Sequence, residues 1–112
     1  MHKLLVLYPH PADPEHFENH YRTVHLPLAS KLPGVLSARF SLQINAGEAP
    51  SPYFAIFEAE FENGQALQDV MASEWGRKVS EDVPNYASGG AVVLNYDVEP
   101  LASAEPTEKA GA

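Results

Sequence analysis

Three of the chain's five histidines, His16, His20 and His25, fall in one stretch, Asp13 to Gly34, with the sequence DPEHFENHYRTVHLPLASKLPG. Imidazole titrates near neutrality, so it is the natural side chain for moving protons at pH 7. His25 lies four residues after Tyr21, hence on the same side of a helix. Two readings of it stay open: a core histidine hydrogen-bonded to backbone, or an acid/base group facing a pocket between this helix and a sheet. His16 and His20 are spaced i, i+4, as a pair of metal ligands would be, but HFENH places its glutamate wrongly for the HExxH arrangement. At about 100° per residue His20 lies roughly 140° round the helix from His25, so the three are not expected to converge and no metal site is expected.

The element that positions them begins at about Pro14. Asp13 can accept a hydrogen bond from a first-turn N–H, Pro14 sits where its missing N–H costs nothing, and Glu15 complements the positive helix end. Phe17, Tyr21, Val24, Leu28 and Leu32 form one apolar stripe, with His25 at its edge. Pro27 removes the bond to the Thr23 carbonyl and disfavours helical geometry at Leu26, so a kink or restart is expected there. Leu32-Pro33-Gly34 ends the element, with Gly34 suited to a left-handed cap.

Seven Lys and Arg stand against fifteen Asp and Glu, a formal net charge of −8. Such a surface repels phosphate backbones and anionic lipid, which argues against nucleic-acid and membrane partners. No cysteine is present, which excludes disulfides, a thiol nucleophile and zinc–thiolate sites. The apolar run before Pro9 is too short for a signal peptide or membrane span, so a cytoplasmic protein is expected.

Along the chain, residues 3–8 are apolar on both alternating faces and read as a strand covered on both sides. Residues 35–44 alternate, with Leu36, Ala38, Phe40, Leu42 and Ile44 on a dry face and Arg39 on the other. Residues 45–52 suit a hairpin loop, and 53–61 a third strand. Asn63 caps a helix with Leu67, Val70 and Met71 on its stripe, Gly76 weakens its continuation, and residues 76–82 suit a separate turn or short helix. Residues 91–99 form the fourth strand. From Pro100 the composition predicts a disordered tail, leaving a single domain over residues 1–99. The order β-α-β-β-α-β predicts an α+β, ferredoxin-like sheet with both helices on one face. Its other face would expose more apolar surface than a monomer normally tolerates, so a symmetric homodimer is expected.

On these residues the chain resembles the EthD family of dimeric α+β barrels, over about Met1 to Val98. Phe17, His20-Tyr21 and His25-Leu26-Pro27-Leu28 are similar to the family's F…HW/Y…HxPL helix. Leu32-Pro33-Gly34 follows it, and Asp82-Val83-Pro84-Asn85-Tyr86 before Gly89-Gly90 is similar to the D-x-P-N-F segment of members labelled EthD family reductases. The chain departs in having Tyr86 for Phe, and Ser73-Glu74-Trp75-Gly76 where many members carry a Pro-Glu-Gly-like turn. The resemblance implies a homodimeric barrel with its helices outside and a pocket between sheet and helices. Members occur beside oxidative catabolic systems such as ether degradation, and relatives of the fold include lactone isomerases, cofactor-independent monooxygenases and decarboxylases.

No G-x-G-x-x-G or G-x-S-x-G is present, so no nucleotide cofactor and no serine triad is expected. Arg39 suits an ion pair with Glu58 or Glu60 across the hairpin better than a clamp for a carboxylate ligand. The expectation is a small homodimer binding a compact, mostly apolar carbonyl, lactone or aromatic compound without a cofactor. His25 would be its acid/base, and Tyr8, Tyr21, Trp75, Asn85 and Tyr86 would contact the substrate. The rival is a non-catalytic accessory module that carries a reactive intermediate for a partner oxygenase.

Overall fold

Alternation of apolar side chains builds the sheet, and its centre is the first strand. The computed structural model describes residues 1–101. Strands β1 (His2–Pro9), β2 (Ser37–Ser41), β3 (Tyr53–Phe61) and β4 (Val92–Asp97) form one antiparallel sheet in the order β2-β3-β1-β4. Helices α1 (Pro14–His20), α2 (Leu26–Ala29), α3 (Gly64–Met71) and α4 (Glu74–Asp82) join them in the ferredoxin-like order. Leu4, Val6 and Tyr8 stand opposite Ala59, Phe57 and Ala55, and these six are buried under the helices with Phe17, Tyr21, Phe61, Leu67 and Val70. No helix among the described residues is long and apolar enough to cross a membrane. The tail expected from Pro100 lies almost wholly outside the described residues.

The caps form as their residues dictate: Asp13 accepts from the His16 N–H at 3.1 Å, and Asn63 from the Ala66 N–H at 2.8 Å. Between α1 and α2 the irregularity expected at Leu26 takes the form of a wider turn one step earlier. Tyr21–His25 is a π-turn, closed by the Leu26 N–H on the Tyr21 carbonyl, and Pro27 follows it in the first turn of α2. Pro27 cannot bond the Thr23 carbonyl, and the wider i→i+5 turn absorbs that defect ahead of the ring. One extra residue per turn slips the helix phase. Val24, expected on the buried stripe, is 39% exposed, whereas His25 is 4% exposed. The buried side after the slip runs through His25, Leu26, Ala29 and Leu32.

Two further expectations change. The second strand is shorter than residues 35–44 and lies at a sheet edge, so its intended dry face is half open, with Leu36 and Phe40 exposed. Arg39 stands opposite Glu58, but that carboxylate takes Lys3 Nζ at 3.2 Å, and Glu60 takes the Ser37 hydroxyl at 3.0 Å. Among the described residues Arg39 makes no ion pair, because Lys3 on the adjacent central strand reaches Glu58. Gly76 has a reason beyond helix weakening: a Cβ there would run into the Val70 carbonyl and Met71, where α4 turns tightly against the end of α3.

The sheet face away from the helices divides in two. Lys3, Glu58, Glu60, Ser37 and Arg39 make the β2–β3 side polar, while Leu5, Leu7, Ile56, Val92, Leu94 and Tyr96 make the β1–β4 side apolar. Val92, Leu94 and Tyr96 are all exposed. On the helix-covered face, at the far end of β1, His2 Nδ1 lies 2.7 Å from Asp97 Oδ1 and Nε2 lies 2.8 Å from Asn95 Oδ1, tying β1 to β4.

Candidate functional site

The π-turn brings two histidines onto one carboxylate. His25 Nδ1 lies 2.9 Å from Asp82 Oδ2, and His20 Nε2 lies 2.8 Å from Asp82 Oδ1. The sequence reading kept His20 and His25 apart by about 140°, which holds for a regular α-helix. In a turn closed by i→i+5 bonds, residues five apart stand nearly above one another, and the two imidazoles converge. Asp82 ends α4 and is 7% exposed. Asn85 Nδ2 donates to its Oδ1 at 2.9 Å, and His16 Nε2 in turn donates to the Asn85 carbonyl at 2.9 Å.

Charge follows from this geometry. Burial pushes the Asp82 carboxyl up, but hydrogen bonds from Asn85, His20 and His25 outweigh it and hold the group below the usual carboxylate range. Burial pushes the His25 imidazole below its ordinary value, and the bond to Asp82 only partly offsets this. At neutral pH the pair is a carboxylate and a neutral ring. A carboxylate can only accept, so the shared proton sits on His25 Nδ1 and Nε2 keeps a bare lone pair. Among the described residues Nε2 has no hydrogen-bond partner.

His25 lines a cavity of about 330 Å³ between the sheet and the helices. Leu4, Val6, Tyr8, Phe57, Ala91 and Val93 form its sheet wall, and Ala29, Leu32, Met71, Val79, Ser80 and Val83 close it from the helix side. Among the described residues no Lys, Arg, Asp or Glu lines it. The volume sits at the lower end of small-molecule sites, enough for a compact ligand.

Aromatic rings hold the imidazoles in place. His25 stacks on Tyr21 at 5.5 Å between centroids and 13° between planes, His20 stacks on Tyr86 at 5.7 Å and 20°, and Tyr86 also lies 4.7 Å from His25. The Tyr8 and Tyr86 hydroxyls are 2.7 Å apart. Among the described residues the buried Tyr21 hydroxyl has no partner of good geometry. Burial pushes all three phenols up, so they stay protonated at neutral pH.

The EthD domain matches residues 9–90. The chain belongs to the EthD family. Its resemblance to a relative from Rhodococcus erythropolis, an uncharacterized 11.0 kDa protein of the thcB–thcC intergenic region, runs at 38% identity over 100 residues, 88% of this chain and 96% of the relative. The crystal structure of an ethyl tert-butyl ether D (EthD) family protein from Bacillus halodurans superposes with a TM-score of 0.83 at 24% identity, covering 88% of this chain and 99% of that one. A dimeric protein of unknown function and ferredoxin-like fold from Bacteroides fragilis superposes with a TM-score of 0.64 at 15% identity, over 87% and 95% of the two chains. At these identities the two structures bear on the fold.

Within this EthD domain the residues singled out in the sequence divide by position. His25 and Tyr8 line the cavity. Tyr21 and Tyr86 stand behind them as stacking partners of the imidazoles rather than in the wall. Asn85 is exposed and braces Asp82. Trp75 is not in the cavity wall: its ring lies between Lys31 Nζ at 5.0 Å and Lys78 Nζ at 4.5 Å. Asp82 and His20 were not singled out as site residues. The signal for Asp82 was present in Asp82-Val83-Pro84-Asn85-Tyr86, an acidic residue at a helix end just before apolar and aromatic residues that must pack. His20 stood in the His20-Tyr21 part of the helix motif, but only the π-turn brings it onto the same carboxylate as His25.

Proposed function

We propose that this EthD-family chain is a homodimeric acid/base enzyme of oxidative catabolism. Its substrate is a compact, mostly apolar carbonyl, lactone or aromatic compound bound in the sheet–helix cavity, and His25 moves the proton. One observation carries the reading: Asp82 holds Nδ1 of a ring that lines the cavity, which leaves Nε2 as its free basic atom. A carboxylate that orients an imidazole and stabilises the imidazolium formed in the reaction is a recurring device of general-base catalysis. Tyr8, in the same cavity wall, is a protonated phenol. The apolar lining keeps water scarce, so a charge formed next to His25 feels Asp82 strongly.

Support for the homodimer comes from the apolar half of the open sheet face and from structural neighbours described as dimeric. The family setting supplies the catabolic context. A second reading, a non-catalytic carrier for a partner oxygenase, is favoured by how few polar groups line the cavity.

The test is deuterium exchange. Small neutral compounds with acidic C–H bonds, including lactones, ketones and β-dicarbonyls, are incubated with the protein in D₂O and followed by NMR. The enzyme reading expects incorporation that His25→Gln lowers by about 10² to 10⁴. Binding without any protein-dependent exchange across that panel would favour the carrier.

A further inference from the structure

The Asp82–His25 contact sets the hydrogen-bond polarity of the cavity, a consequence that rests on the proposed placement of the base and goes beyond it. Because the carboxylate accepts from Asn85 Nδ2 and from both imidazoles, the His25 Nδ1 proton is committed to it. Nε2 of the neutral ring is therefore an acceptor only. The remaining polar side chains of the wall are Tyr8, whose hydroxyl is engaged with Tyr86 at 2.7 Å, and Ser80, which is exposed. Among the described residues no cation lines the cavity, and the Asp82 carboxylate bonds the imidazole from the other side, at Nδ1. An anionic ligand would meet desolvation and a like charge with nothing to offset either.

We propose that, among neutral compounds on a compact apolar frame, the cavity prefers those that present an O–H or N–H, the enol of a carbonyl or lactone included, with that donor on His25 Nε2. A ligand offering only an ether oxygen, with neither such a donor nor the acidic C–H of a carbonyl compound, leaves Nε2 unpaired in an apolar wall, and a buried acceptor without a partner is costly. Lone-pair facing lone pair adds repulsion. Donor-bearing aromatic or enolic compounds are thereby separated from their ethers, and from carboxylates.

The test uses three single-ring probes on the full-length protein at pH 7.5: phenol, anisole and benzoate, by isothermal calorimetry, with ¹⁵N-labelled imidazole resonances recorded in parallel. Phenol is expected to bind at least about tenfold more tightly than anisole, the equivalent of one unmade buried hydrogen bond. Benzoate is expected to bind more weakly than phenol. Phenol should also shift the His25 Nε2 resonance, and its preference over anisole should persist in Tyr8→Phe. Anisole or benzoate binding within twofold of phenol overturns the inference, as does an unmoved His25 resonance or loss of the preference in Tyr8→Phe. Failure of phenol to bind saturably at millimolar concentration does the same. These results are separable from those for the enzyme reading: donor selectivity without deuterium exchange fails only the chemistry, whereas exchange without donor selectivity fails only this inference.

Discussion

Asp82 holds His25 by Nδ1 at 2.9 Å through one carboxylate oxygen while the other takes His20 Nε2 at 2.8 Å. One acidic side chain at the end of α4 therefore fixes the ring orientation and proton position of a histidine 57 residues earlier in the chain.

Replacing Asp82 with Asn keeps the shape and removes the charge. The amide can point either its oxygen or its NH₂ at His25, so the Nδ1 proton is no longer specified. Asp82→Asn is expected to cost about 1 to 3 kcal/mol of stability, since buried polar groups lose their charged partner. It is expected to lower any proton-transfer activity by about 10²-fold or more. Urea denaturation and the deuterium-exchange assay measure the two effects, and a variant with full activity would show that the orientation does not matter.

How much of this was legible in the sequence depends on the distance over which each feature is determined. The Asp13 and Asn63 caps and the alternation of residues 53–61 are local, and each forms as read. Pro27 announced a helix irregularity but not its kind. A π-turn moves every later residue round the helix, which is why Val24 and His25 exchange environments. The edge position of β2, which leaves Phe40 half open, follows from strand order and not from its own alternation. Asp82 could be recognised as an anchor only once α4 was placed beside the first helix, a contact no spacing encodes.

Stability should fall with acid from just below pH 6.5. His25 has a folded pKa below its unfolded value, so the unfolded chain binds more protons there and stability drops as pH falls through that window. Asp82 acts in the same direction at lower pH, because its folded pKa also lies below the unfolded one. His2 has the opposite sign: bonds to Asp97 and Asn95 raise its folded pKa, so its contribution is complete below the unfolded pKa and is lost as pH rises through the raised value. Melting temperatures across pH 4 to 8 in wild type and His2→Gln separate the two. The variant should lose the decline on the alkaline side of 6.5 and keep the acid limb.

Tyr21→Phe removes a buried hydroxyl that has no partner of good geometry among the described residues and keeps the ring that stacks on His25. The variant is expected to be as stable as wild type or more stable by about 1 kcal/mol, read from the denaturation midpoint. A loss of 2 kcal/mol or more would reveal a partner for that hydroxyl in solution.

Leu94 is 45% exposed at the middle of the apolar half of the open face. Leu94→Asp places a charge where the proposed dimer would pack, with an uncompensated burial cost. Light scattering at micromolar concentration should give the mass of two chains for wild type and of one chain for the variant. A monomeric wild type would remove the dimer from the account.

The central claim is that His25 presents an unprotonated Nε2 to the cavity with its proton held on Nδ1. Long-range ¹H–¹⁵N correlation of the ¹⁵N-labelled imidazole rings, with His25 assigned by its absence in His25→Gln, reads that state directly as pH is varied. The account predicts a neutral ring with Nδ1 protonated and Nε2 bare at pH 7, taking up its second proton only below pH 6.5. A ring protonated on Nε2 at pH 7, or one already cationic there, would contradict it.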